Sequence, residues 1–214
     1  QWVLLPAQAA SMAPQHQPMS LGVVSDPMSD LQAVGAGASS GMTLGLSSIK
    51  TDLDAAYSTE NMATLRAYLG FNEAIHHVTP GVEIATPTGL NDFSIDADLD
   101  LMPLRFQGEA GVLTIRAAGD LNVNASLSDG FLEAKVGVTK FKSVDRDADI
   151  ATSGGSWSYR LVAGADTSAG NPMAVKAAAA SETAGNLLLA SNKLIRTGTG
   201  DIALAAQRDI TLSS

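Results

Sequence analysis

Along Thr199–Ser214, "TGDIALAAQRDITLSS", the aliphatic residues Ile202, Leu204 and Ala206 fall on every second position. After a Gln-Arg-Asp break, Ile210 and Leu212 do the same. A period of two is the signature of strands with one buried face. The same texture runs from Pro80 through "GVEIATPTGL", "FSIDADLDL" and "GVLTIRAAGDLNVNASL", and returns from Gly185 in "NLLLA", "KLI", "DIALAA" and "DITL". Between these blocks, residues 136–184 are mixed, with a strand in "SWSYRLV" and the Ala-rich run Ala177–Ala180. One segment carries helical spacing instead. In 58–77, "STENMATLRAYLGFNEAIHH", Ser58 or Thr59 can cap, Glu60 sits in the first turn, and Met62, Leu65, Leu69 and Ile75 fall near one face. Gly70 is a candidate break within it.

The strands repeat. Shifting the chain by 89 positions lays Gly111–Ala125 on Gly200–Ser214 without a gap. Gly111 meets Gly200, Leu113 and Ile115 meet Ile202 and Leu204, Asp120 meets Asp209, and Leu121 and Val123 meet Ile210 and Leu212. Each unit is a glycine turn, a strand of aliphatics, a polar corner ending in Asp, and a second strand. Strands this short cannot bury a face alone, so the units must stack. An antiparallel sandwich of two similar hairpins would carry the same alternation, but no Asn-Gly or Asp-Gly turn joins these strands. Asp129-Gly130 follows the second strand of its unit. The expected fold class is all-β: a parallel β-helix, or solenoid, with a short helical insertion and an irregular N-terminal extension.

The organisation that follows has five parts. Residues 1–57 form a low-charge, Ala/Gly/Ser/Pro-rich extended segment with a candidate strand at 42–46, and 58–79 a helical insertion. Residues 80–135 are coils, 136–184 a mixed loop and strand insertion, and 185–214 coils that continue. Within 1–49 the only charges are Asp26 and Asp30, alongside Pro6, Pro14, Pro18 and Pro27. The start, "QWVLLPAQAAS", has no basic leader region and no initial Met. With strand pattern running to the last residues, the chain reads as part of a longer polypeptide.

Composition narrows the functions. A net charge of −9 in 214 residues leaves no basic stripe for nucleic-acid phosphates. Zero cysteines exclude disulfides and Cys-based metal or nucleophile chemistry. Aromatics are 5% of the chain, which suits a narrow aliphatic interior better than an anchored enzyme core. No apolar run approaches the roughly 18 residues of a membrane helix.

The phrases "AGVLTIRAAGDLNVNASLSDGF" and "TGTGDIALAAQRDITL", with "SWSYRLVAGAD" and "PGVEI" between coils, resemble filamentous haemagglutinin-like exoproteins, the two-partner-secreted adhesins of Gram-negative bacteria. The resemblance covers about Pro80–Ser214. It implies a right-handed parallel β-helix, export to the cell surface or beyond, and a structural role in adhesion, biofilm or filament assembly. The stalk of a contact-dependent toxin-delivery protein belongs to the same resemblance. It implies no catalytic residues and no cofactor, so the chain is expected not to be an enzyme. Expected partners are other copies, end to end or laterally, and a host or bacterial surface receptor.

Four constellations remain as candidate chemistry. Asp96, Asp98 and Asp100 fall at i, i+2 and i+4, one face of a strand, with Ile95, Ala97, Leu99 and Leu101 on the other, so they are candidate Ca²⁺ ligands. Asp145, Asp147 and Asp149 repeat the spacing with Arg146 among them. Neither matches an EF-hand, because the required Gly and Glu are missing. Glu73, His76 and His77 share one helical turn, but adjacent histidines point about 100° apart, and a His-rich helix C-terminus explains them. Gly37–Gly41, "GASSG", fits the GxSxG pattern without the strand and helix that a nucleophile elbow requires. A polysaccharide-active β-helix enzyme would place Asp96, Asp98 and Asp100 beside Arg105 or Arg116, with only Trp2 and Trp157 to stack on sugars.

Overall fold

The computed structural model describes residues 46–70, 77–86, 90–132 and 154–213, with strand pieces at 2–4, 23–24, 42–43, 135–136, 139–140 and 150–151. The fold is mostly parallel β-sheet with few short helices. The first sheet runs Val23–Val24, Gly81–Ala85, Val112–Ala117, Ser158–Ala163 and Ile202–Ala206, in that spatial order. The second runs Met42–Thr43, Phe93–Ile95, Leu121–Val123, Leu187–Leu189 and Ile210–Leu212. The third holds Leu99–Asp100, Leu127–Asp129 and Ile195–Thr197. Every neighbouring pair within these three sheets is parallel. The chain therefore visits first, second and third sheet in turn, and each circuit lies beside the one before.

Register explains the repeat. Leu113, Tyr159 and Ile202 are aligned across three neighbouring strands, as are Ile115, Leu161 and Leu204. In the second sheet the same holds for Leu121, Leu187 and Ile210, and for Val123, Leu189 and Leu212. The two copies of the repeat lie two circuits apart with "SYRLVA" between them. Alternation turns one residue in two into a shared interior, where Phe93, Ile95, Leu113, Ile115, Leu121, Leu127 and Leu161 are fully buried. Each large aliphatic so buried contributes roughly 1.5–3 kcal/mol.

Three expectations need correction. Ser158–Ala163 is not an insertion, because it is paired on both sides in the first sheet. The chain leaves these sheets on either side of it: between Asp129 and Ser158, where Phe131–Leu132 with Ile150–Ala151 and Lys135–Val136 with Thr139–Lys140 form two separate antiparallel pairs, and between Ala163 and Leu187. Second, the segment expected to be extended through 57 holds a helix, α1 (Leu46–Ala56); of the candidate strand at 42–46, Met42–Thr43 is strand and Leu46 already opens the helix. Ile49, Leu53 and Ala56 are buried on it, a helical spacing that the low charge of the preceding residues masks. Third, α2 (Thr59–Leu69) starts where expected, with the Ser58 hydroxyl accepting from the Asn61 amide at 3.4 Å. Gly70 ends it, in the left-handed region at φ 60°, where glycine alone carries no Cβ penalty. His77 lies in the strand His77–Thr79, which pairs in parallel with Trp2–Leu4.

Candidate functional site

The corners between sheets concentrate the polar residues. Asp92, Asp120, Asn186 and Asp209 each precede the aligned residues Phe93, Leu121, Leu187 and Ile210, so they form one column. The Asp92 carboxylate accepts the Asp120 amide at 2.9 Å. Asp120 Oδ1 accepts the Gly185 and Asn186 amides, both at 2.8 Å, and Asn186 Nδ2 at 3.0 Å. The corner aspartates do hold backbone amides, but those of the next circuit and not of their own turn. The following corner repeats the device: Asp98 Oδ1 accepts the Ser126 amide at 2.8 Å, and Ser126 Oγ accepts the Leu194 amide at 3.2 Å.

This corner is where the expected Ca²⁺ triplet lies. The strand Phe93–Ile95 ends before it and Leu99–Asp100 begins within it, so Asp96, Asp98 and Asp100 share no strand face. Ala97, expected inside, is exposed. Asp96 accepts Asn124 Nδ2 at 2.8 Å, and Asp100 accepts the Met102 amide at 3.1 Å. Among the described residues no three acidic or histidine side chains gather closely enough for a metal ion. Asp145, Asp147, Asp149, Glu73, His76 and the Gly37–Gly41 motif lie outside the described residues.

The arginines are also committed elsewhere. Arg116, only 4% exposed, bonds Glu83 at 2.7 Å. It also donates to the carbonyls of Asp166 and Ala169, which fastens the 164–170 loop to the outer face of the first sheet. Arg105 Nη2 meets both carboxylate oxygens of Asp129 at 3.1 Å. Asp129 is fully buried and also accepts the Trp157 amide at 2.7 Å. A charge at that depth is tolerated only when paired and hydrogen-bonded. Burial, reinforced by the charges of Asp129 and Asp100, pushes the Tyr159 hydroxyl far above its ordinary range. It therefore stays protonated and supplies no nucleophile. Trp157 is fully buried and offers no face to a sugar.

A cleft of about 170 Å³ opens beside this pair, between α1 and residues 103–106. Lys50, Leu53, Asp54, Tyr57, Arg105 and Phe106 line it. Tyr57 stacks on Phe106 with ring centres 4.5 Å apart, and Lys50 pairs with Asp54 at 2.5 Å. The Tyr57 hydroxyl accepts the Gly81 amide at 3.3 Å and donates to the Thr79 carbonyl at 3.5 Å. Burial pushes its pKa up to about 12, with the Gly81 amide pulling the other way. Ligand pockets usually exceed roughly 300 Å³, so the cleft has room for about one side chain.

Sequence reasoning missed the Arg105–Asp129 pair because the partners, 24 residues apart, meet only through the register of the third sheet. It also missed the cleft, half of which is α1. Comparison of the chain with protein-family models, with curated proteins and with solved structures finds no match. Among the described residues no helix is long and apolar enough to cross a membrane.

Proposed function

We propose that this chain is a right-handed parallel β-helix serving as a structural shaft segment of a large secreted or cell-surface bacterial adhesin. The observation that carries the reading is register. The 89-residue repeat falls on aligned columns of the same two sheets, with one further circuit between the copies. A stack that pairs each circuit with the next through backbone bonds, and locks its corners with side chains, resists extension along its length. The 164–186 excursion, pinned to the first sheet by Arg116, is the part placed to make contacts, since loops on a rigid frame usually carry binding. The reading is non-enzymatic, and it is supported by the engagement of Asp96, Asp98, Asp100, Arg105 and Arg116 in holding the frame. Copies of the chain associate through strand edges.

Beads coated with the purified chain test this on bacterial and epithelial cell surfaces, in parallel with an assay for sugar release from acidic polysaccharides. Binding above that of beads carrying an unrelated β-protein, without sugar release, is the expected result. Sugar release would move the assignment to a polysaccharide-active enzyme.

A further inference from the structure

Two arginines serve the frame, and they differ in what they leave over. Arg116 spends both terminal nitrogens, Nη1 on Glu83 and Nη2 on the carbonyls of Asp166 and Ala169. Arg105 spends only Nη2, on the two oxygens of Asp129. Its Nε is buried without a partner. Its Nη1 has no acceptor among the described residues and, unlike Nε, is not buried. A guanidinium carries five N–H donors, so most of the hydrogen-bonding capacity of Arg105 is uncommitted.

Arg105 lines the cleft of about 170 Å³ between α1 and residues 103–106, and Lys50 lines it too. Lys50 is held only by Asp54, and the two side chains are 57% and 66% exposed. An exposed pair one helical turn apart is worth little, so Lys50 turns to another acceptor at no cost to the fold. Of the two acids that balance these cations, Asp129 is fully buried and does not line the cleft. The rest of the lining is apolar: Leu53, Pro103, Leu104 and the stacked rings of Tyr57 and Phe106. Two cations thus border a small apolar hollow with one weakly held carboxylate between them and solvent.

We propose that this cleft binds a small free monocarboxylate with an apolar body, about the size of benzoate. The carboxylate meets Arg105 Nη1 and Lys50 Nζ, taking the place of Asp54 on the lysine. The body lies on the apolar lining. Small-molecule sites have this make-up, mostly apolar walls with a few placed polar groups that fix orientation. Size sets the upper limit, since an apolar cavity of roughly 150 Å³ accommodates one benzene ring. A sugar acid fits less well, because its hydroxyls would be buried against Leu53, Pro103 and Leu104 without partners. The site is made by α1 and the turn at 103–106, so the inference does not rest on the shaft reading.

Titration of the full chain with benzoate, followed by NMR relaxation of the ligand protons, reads the site. Benzamide is the neutral probe of the same shape. Saturable binding at millimolar benzoate is expected, and none for benzamide. Lys50→Met removes one cation at an exposed position and should weaken benzoate binding about tenfold. Asp54→Asn frees Lys50 and removes the like charge, and should tighten binding several-fold. Arg105→Met with Asp129→Leu removes the guanidinium without stranding a buried charge and should abolish binding, with far-UV circular dichroism to show that the strands persist. If that double variant does not fold, the two substitutions on the exposed side of α1 decide alone. Equal binding of benzoate and benzamide, an affinity unmoved by Lys50→Met and Asp54→Asn, or no saturable binding at millimolar benzoate would overturn the assignment.

Discussion

Replacing Gly111 by alanine tests the stacking at its tightest point. A Cβ there would lie 2.0 Å from the Pro80 carbonyl oxygen and 2.7 Å from its carbon. Both atoms belong to the backbone of the previous circuit, so no side chain can swing aside. Strands in a sheet stand about 4.8 Å apart, and relieving the overlap requires opening that spacing by more than about 1 Å. The Val112 amide bonds that same Pro80 carbonyl at 2.9 Å, and the Ser158 amide bonds the Gly111 carbonyl at 2.9 Å. Overpacking costs about 1–3 kcal/mol, and weakening one backbone bond adds about 1. A total near 3 kcal/mol lowers the melting midpoint by roughly 6–12 °C in a chain of this size. Gly170→Ala is the control, because no heavy atom lies within 4 Å of a Cβ there. Thermal melts followed by circular dichroism should show the loss for Gly111→Ala and a midpoint within about 1 °C of the parent for Gly170→Ala. Equal midpoints for the two variants would refute the close stacking of Gly111 on Pro80, and with it the reason for glycine at this place in the repeat. Gly200→Ala meets the Trp157 carbonyl at 2.3 Å in the same way, but its strand has only one neighbour and should yield at smaller cost.

Arg105→Ala leaves the Asp129 carboxylate buried without its cation and should cost about 3–5 kcal/mol in urea unfolding. Arg105→Met combined with Asp129→Leu should recover much of that, less about 1–3 kcal/mol for the Trp157 amide left without an acceptor. Tyr57 carries an alkaline dependence whose sign is fixed: its folded pKa is about 12 against 10.0 for the free phenol. Its neutral form stabilises fully below pH 10, and the contribution of about 3 kcal/mol is lost as pH rises through 12. Tyr57→Phe should flatten the pH dependence of unfolding in that window. Leu121→Ala should cost about 2–5 kcal/mol, and Leu212→Ala, in the same sheet but 59% exposed, under about 1, when compared by denaturant midpoints.

Alternation and the glycine and aspartate positions of the repeat were legible because each is a local demand. A strand with one buried face needs every second residue apolar, and a close carbonyl needs glycine. The helix at 59–69 was legible for the same reason, through its Ser58 cap. Partners across circuits were not legible. Arg105 finds Asp129, Arg116 finds Glu83, and Asp120 finds Asn186, at separations of 24, 33 and 66 residues. The acidic triplet misled because "DADLD" alternates like a strand although the chain turns a corner inside it, where Asp96 and Asp98 hold the next circuit and Asp100 holds the Met102 amide of its own.

The spacing of the repeat also hid a member. Val82 aligns with Leu113, Leu113 with Tyr159, and Tyr159 with Ile202, so successive circuits advance by 31, 46 and 43 residues. The two long ones are those with excursions, and together they make up the 89-residue offset. A column of the sheet asks only that its residue be apolar and aligned, and Tyr159 meets that demand as well as Leu113 or Ile202. The loops between strands are free to lengthen, because closing a longer loop costs little, about 0.6 kcal/mol per doubling. Stacking thus constrains residues within a strand and leaves the distance between strands almost free. Two circuits with short corners kept a visible likeness. The circuit between them, carrying loops on either side of "SYRLVA", had the same interior role and no readable period.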